Sequence, residues 1–329
     1  MRNKNLWLFL LACTVLAVLV RPAVAQQPRK VPRVGYLAAV SASADAPRLD
    51  AFRQGLRELG YVEGQNILID YRHENADFER LPGLANELLR LDIDVLVAVT
   101  TNAALAARKV TATTPIVFMG VTDPISAGLA ESLARPGGNS TGVTNVAAIL
   151  AGKRLEFLKE AVPGIARVAV LWDPHAPGSI PQWKESQAPA EKLRLQLSPM
   201  EVSRVDNYAP AFKEVVKTRN QAVWVTLNPL ANSNQKLIAE LAIDNKLPSI
   251  CARGDYAENG CLMAYGPSYT TEGTDGARYV DRILKGARPA DLPIQQPTIF
   301  ELVVNLNTAN RIGLAVPRSL LDRADKIVR

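Results

Sequence analysis

The chain has 329 residues, 48% of them apolar, with 38 Lys and Arg against 32 Asp and Glu for a formal charge of +6. Loss of residues 1–25 takes away Arg2, Lys4 and Arg21 and no acid, leaving +3. The remaining basic residues alternate with acids, as from Arg48 to Glu63, which reads as solvated helix faces and argues against a nucleic-acid surface.

The amino end carries basic Arg2 and Lys4, an apolar run from Leu6 to Val20, and the small residues Ala23, Val24 and Ala25 ahead of Gln26. That layout predicts a cleaved signal peptide over 1–25 and a periplasmic mature chain. The run is shorter than the roughly 20 residues of a membrane-spanning helix, and Arg21-Pro22 ends it. Leu10-Leu11-Ala12-Cys13 is also similar to a lipobox, in which Cys13 would be acylated; the apolar run continues past it, which favours plain cleavage.

From Pro32 onward short apolar runs alternate with amphipathic segments. Val34–Leu37 reads as a strand; Leu49, Phe52, Leu56 and Leu59 fall at helical spacing; Asn66–Tyr71 reads as a second strand. A helix through Leu81, Leu84, Leu88 and Leu91, a strand at Ile93–Val99, a helix at Ala103–Val110 and a strand at Pro115–Val121 follow. After Pro136-Gly137-Gly138 the alternation restarts, with helix Gly152–Ala161, strand Arg167–Trp172, a helix around Glu185–Leu195 and a strand near Pro199–Val202. Helix Ala209–Arg219, strand Ala222–Thr226, helix Gln235–Asn245 and strand Pro248–Ala252 complete this second series. The remainder holds another strand, a helix over Thr271–Leu284, a Pro-rich crossing, a strand at Phe300–Asn305 and terminal helices. Two successive βα series predict an α/β protein of two Rossmann-like lobes, each a parallel sheet flanked by helices. The expected boundaries are 31–145 plus 268–297 for the first lobe and 146–267 plus 298–329 for the second, with multiple crossovers forming a hinge.

One motif invites an enzyme reading, Gly138-Asn139-Ser140-Thr141-Gly142, which fits G-x-S-x-G. A nucleophile elbow needs a strand before the serine, a helix after it, and an acid then a histidine later in the chain. Here a Pro-Gly-Gly turn precedes Ser140, β-like residues follow it, and His175 comes too early, so no enzyme is expected. No dinucleotide or Walker motif and no metal-ligand spacing occurs, so neither cofactor nor metal is expected. Cys251 and Cys261 flank a short loop, and either a disulfide or two buried thiols is compatible with them.

Ligands of open parallel sheets bind beyond the carboxyl ends of the strands. Those ends are polar here: Ser41 and Ser43, Thr100, Thr101 and Asn102, and Thr122 and Asp123 in the first lobe. In the second they are Trp172 and Asp173, Asn228, and Asp255 and Tyr256, with Tyr265 nearby. One of Thr100, Thr101 and Asn102 should cap the following helix, whose N-terminus favours a carboxylate. Thr101, Asn102 and Thr122 are expected to hold that carboxylate and Asp123 an ammonium. Asp173 and Asn228 also suit simple turns before proline, and Trp172, Tyr256 and Tyr265 suit either stacking on a ligand or the core.

The stretches Phe52–Asn66, Pro115–Phe118, Thr122–Leu129, Ser132–Gly142, Lys153–Leu158, Ile283–Pro293, Phe300–Asn305 and Leu320–Asp325 carry a resemblance that spans Val34 to Val328. The chain resembles the ABC-transporter substrate-binding family that includes the tryptophan-binding lipoproteins of Gram-positive bacteria. The resemblance implies a type I periplasmic-binding fold, a monomer that binds a small molecule by cleft closure, and delivery to an inner-membrane ABC permease with its ATPase. A ligand-sensing protein feeding a membrane receptor is the alternative on the same fold. The chain departs from the family pattern at Thr100-Thr101-Asn102, where many relatives have a Gly-Thr-Pro-like turn, and at Gly260-Cys261, where they often have Gly-Gly.

Overall fold

The computed structural model describes residues 30–75 and 77–329, apart from the side chain of Tyr269, so the signal-peptide segment and Cys13 lie outside the described residues. Every element below belongs to one unit, Pro32–Arg329. No described helix is long and apolar enough to cross a membrane.

Five parallel strands make the first sheet: β1 (Arg33–Ala38), β2 (Leu68–His73), β3 (Val95–Val99), β4 (Ile116–Val121) and β5 (Ser140–Thr144), in the order β2-β1-β3-β4-β5. Every residue of β3 and β4 is buried, which is why these strands are continuously apolar rather than alternating: helices cover both faces. On one face Val34, Tyr36 and Val97 meet Leu49, Phe52 and Leu56 of helix α1 (Ala42–Glu58). On the other, Leu37, Leu96 and Ala98 meet Leu81, Ala85 and Leu88 of α2 (Leu81–Leu89) and Ala103, Ala104 and Ala107 of α3 (Thr101–Val110). Each fully buried Leu contributes about 2 kcal/mol by leaving water.

The second sheet runs β12-β11-β10-β9-β8-β6-β7, built from β6 (Arg167–Trp172), β7 (Gln196–Glu201), β8 (Ala222–Val225), β9 (Ser249–Cys251), β10 (Met263–Pro267), β11 (Phe300–Asn305) and β12 (Lys326–Val328). Val168, Val170 and Trp224 pack under α4 (Ala151–Ala161). Ala169, Leu171 and Val223 pack under α6 (Tyr208–Lys217) and α8 (Gln235–Asp244). Around these lie α5 (Ser179–Lys192), the short α7 (Pro229–Ser233) and α9 (Gly254–Glu258), and α11 (Leu306–Ile312) and α12 (Arg318–Leu321).

The chain passes between the sheets three times: after β5, after β10 and before β11. Helix α10 (Tyr269–Leu284), which lies between β10 and β11 in sequence, packs on α1 and on β3, β4 and β5 of the first sheet. Its Ala277, Val280 and Ile283 complete the core over Tyr36 and Val97. The return from α10 reverses the chain's direction, so β11 pairs antiparallel with β10, the one departure from an otherwise parallel pair of sheets. Arg154 of α4, fully buried, ties two crossings by donating to the carbonyls of Ala147 (2.7 Å) and Tyr265 (2.9 Å). Burial lowers its guanidinium pKa to about 9.

Cys251, at the end of β9, is disulfide-bonded to Cys261, just before β10. Ser140 opens β5 and donates its buried hydroxyl to the Leu129 carbonyl, so its side chain serves the strand. Gly142 is required for packing: at φ +148 a β-carbon would stand 2.0 Å from the Phe118 carbonyl oxygen. Sheet crowding thus accounts for that residue of the G-x-S-x-G string.

Candidate functional site: the interlobe cleft

A narrow cleft lies between the two sheets, at the carboxyl ends of their strands. From the first lobe it is lined by Thr100, Thr101 and Asn102 of the β3–α3 turn, Gly120 and Thr122 at the end of β4, Asn145 after β5, and Arg48 of α1. The second lobe adds Gly178 ahead of α5, Leu227, Asn228 and Pro229 after β8, Asn232 of α7 and Arg253 after β9. No aromatic residue is among these.

The first-lobe wall is braced from behind. Thr122 N donates to Thr101 Oγ1 at 3.3 Å, and Asn145 Nδ2 donates to the Gly120 carbonyl (2.7 Å) and to Thr122 Oγ1 (3.3 Å). Arg48 donates from Nη1 to Asp45 Oδ1 (2.9 Å) and from Nε to Glu272 Oε2 (3.1 Å), all three residues being buried. Asp45 also accepts from Tyr36 Oη at 2.8 Å and lies 3.3 Å from His73 Nε2. Burial raises the Asp45 carboxyl, but the hydrogen bonds and charges of His73, Arg48 and Tyr36 outweigh it and hold the group below its ordinary value.

Across the cleft, Arg253 binds Asp255 through Nη2 (2.7 Å) and Nε (3.1 Å) and lies over the Tyr256 ring. Tyr256 Oη donates to Asn232 Oδ1 at 2.7 Å, fixing a side chain that lines the cleft. Asn228 accepts the Ala231 amide at 2.8 Å and so caps α7.

Two cleft atoms stand out. Thr100 Oγ1 and Asn102 Oδ1 are buried and have no hydrogen-bond partner among the described residues. Such atoms cost about 1–3 kcal/mol each unless something fills the requirement. Thr100 is also held at φ +84, ψ 163, a backbone region that a β-branched residue enters only with strain. Contrary to the expected cap, no side chain of this turn caps α3, because Thr100 is not in the conformation that aims a cap oxygen at the first amides. Thr100→Gly is therefore expected to raise unfolding free energy by about 1 kcal/mol, relief of strain exceeding the added chain entropy of glycine. Urea denaturation checks this; a lower midpoint in the variant would show the turn to be relaxed.

The other expected site residues lie elsewhere. Asp123 is half-buried, accepts the Ser126 amide at 3.0 Å within its own turn, and does not line the cleft. Ser41 caps α1, and its amide donates to Ser233 Oγ across the lobes at 3.1 Å. Ser43 belongs to an outer groove that also includes Asn232 and Asp255. Trp172 stacks on Trp183 with centroids 5.8 Å apart, and Tyr265 packs against Phe157 and Phe300. Asp173 is committed to the His175 amide and the Ser203 hydroxyl. Asp255 and Tyr256 stand behind Arg253 and Asn232 rather than in the cleft.

Sequence reasoning missed Arg48, Asn145, Gly178, Asn232 and Arg253. Arg48 falls in the stretch read as solvated faces, yet it is 3% exposed. Its signal is the spacing Asp45, Arg48, Leu49, Phe52, which puts the ion pair on the apolar side of α1. Arg253 begins the strand-end stretch that contributed Asp255 and Tyr256.

The model of a family described as ABC transporter substrate binding protein matches residues 33–328. A tyrosine-binding protein of Clostridioides difficile is 26% identical over 279 residues, covering 84% of this chain and 80% of that one. A conserved domain protein from Vibrio cholerae superposes with a TM-score of 0.87 at 26% identity, over 91% of this chain and 100% of that one. An ABC domain from Streptococcus pneumoniae, solved in complex with L-Trp, gives 0.85 at 26% identity over the same shares.

Proposed function

Because the chain belongs to the ABC transporter substrate-binding protein family, whose members bind substrates rather than convert them, we propose that it captures an amino acid or other small carboxylate in the interlobe cleft. It does so outside the cytoplasmic membrane and delivers the ligand to an ABC permease driven by a separate ATPase. The observation that carries this reading is the pair of buried, unmatched oxygens at the cleft, Thr100 Oγ1 and Asn102 Oδ1. An acceptor such as Asn102 Oδ1 calls for a donor, which an ammonium or hydroxyl group of the ligand supplies. The amides at the start of α3, with Thr101 and Thr122 beside them, suit the carboxylate. Asp123, bound up in its turn, has no part in this arrangement.

The tyrosine-binding relative and the domain solved with L-Trp set the first probes. In thermal-shift titrations with L-tyrosine, L-tryptophan, the other amino acids and small hydroxy acids, at least one compound raises the melting temperature of the native chain. Asn102→Leu weakens that compound about tenfold, the loss of one buried polar contact. No shift from any of them, together with no small molecule retained in native mass spectra of the exported protein, would remove the proposal.

A further inference from the structure

The two lobes touch at a residue that has no side chain. A β-carbon built on Gly178 would stand 2.9 Å from Thr122 Oγ1 and 3.2 Å from Thr101 Oγ1, both in the opposite lobe. Neither hydroxyl is loose. Thr101 Oγ1 accepts the Thr122 amide, and Thr122 Oγ1 accepts from Asn145, itself anchored on the Gly120 carbonyl. Threonine is stiff at χ1, so these oxygens yield only by giving up those bonds.

Nothing within the second lobe asks for glycine at this position. Gly178 has φ −73 and ψ −18, open to any L-residue, and its carbonyl accepts from Gln182 Nε2 at 2.6 Å, a bond that any residue's carbonyl makes. As the residue before α5 it lies in the helical region rather than the extended conformation of a capping residue, and no side chain caps α5 there, so alanine removes no cap. The restriction comes solely from the other lobe.

We propose that Gly178 is a positioning residue that sets how far the lobes close. A side chain there holds the cleft ajar in proportion to its size, without disturbing either lobe's own fold. The inference rests on the clamp reading above, because only a cleft that closes needs such a contact.

The test requires no ligand. Ser41 N and Ser233 Oγ, one from each lobe, are 3.1 Å apart. A Ser41→Cys/Ser233→Cys chain is oxidised with copper phenanthroline, and the cross-link between positions 41 and 233 is followed over time by peptide mass spectrometry. Gly178→Ala should slow its formation severalfold and Gly178→Val at least tenfold, with urea midpoints unchanged. Adding Thr122→Ala to Gly178→Ala should restore most of the rate, since it removes the nearest opposing atom; a purely local effect on α5 would not be rescued from the other lobe. Equal rates with glycine, alanine and valine would overturn the role of Gly178 while leaving the clamp intact. Failure of the pair to cross-link with Gly178 in place would overturn the clamp reading itself.

Discussion

Asp45→Asn is expected to lower unfolding free energy by about 3 kcal/mol or more, the usual consequence of removing one partner from a buried ion pair. Asp45 is fully buried and receives Arg48, Tyr36 and His73 together. The amide keeps the shape but removes the charge, and its NH2 group replaces one acceptor with a donor facing other donors. Arg48 retains Glu272 at 3.1 Å, so the variant is expected to fold, less stably, with a cleft wall that has lost one of its braces. The pH dependence has a definite sign. A carboxyl held below its ordinary value stabilises fully above that value, about 3.9, and the contribution disappears as pH falls through the lowered folded value. The gap between wild type and Asp45→Asn in urea denaturation should therefore be constant near neutrality and shrink in acid. A gap below about 1 kcal/mol at pH 7 would show that the network contributes little.

Replacing both bonded cysteines, Cys251→Ala/Cys261→Ala, is expected to cost about 2–3 kcal/mol, the closure entropy for a short loop. The bonded residues are ten positions apart, and the segment they enclose contains α9, Arg253 and Tyr256. These hold one cleft wall directly and another, Asn232, through the tyrosine hydroxyl. The loss should therefore appear in ligand affinity as well as in the urea midpoint. Stability equal to wild type would mean that the loop is already fixed by its hydrogen bonds.

The fold was largely legible because its core strands are buried on both faces. Val95–Val99 and Ile116–Val121 read as unbroken apolar runs, and Leu81, Leu84 and Leu88 fall at helical spacing within the helix that forms. The reversal of β11 was not legible, since pairing direction depends on where the chain re-enters the sheet rather than on residue pattern. Helices α7 and α9, five residues each, are too short to show a period, and Asn232 on α7 was lost with it. At the cleft, the strand-end rule found Thr100, Thr101, Asn102, Thr122 and Asn228. Asp123 and Asp173 instead satisfy their own turns, and Trp172 and Tyr265 meet other aromatic rings. A terminal polar residue looks the same in sequence whether it faces a cleft or folds back on its own amide. The strain at Thr100 was foreshadowed by the departure from a Gly-Thr-Pro-like turn, because a glycine would sit at φ +84 without cost.

Helix α10 completes the core of the first sheet although it lies more than a hundred residues beyond β5 in sequence. Cutting the chain after Thr144 would therefore yield a fragment whose Tyr36 and Val97 keep α1 but lose the part of their cover that α10 supplies. Neither sheet with its covering helices is an uninterrupted stretch of polypeptide, so a single cut in the gene does not separate one from the other. A ribosome must also have released residues through Leu284 before the amino-terminal layer can finish assembling, which keeps the nascent protein incompletely folded through most of its synthesis.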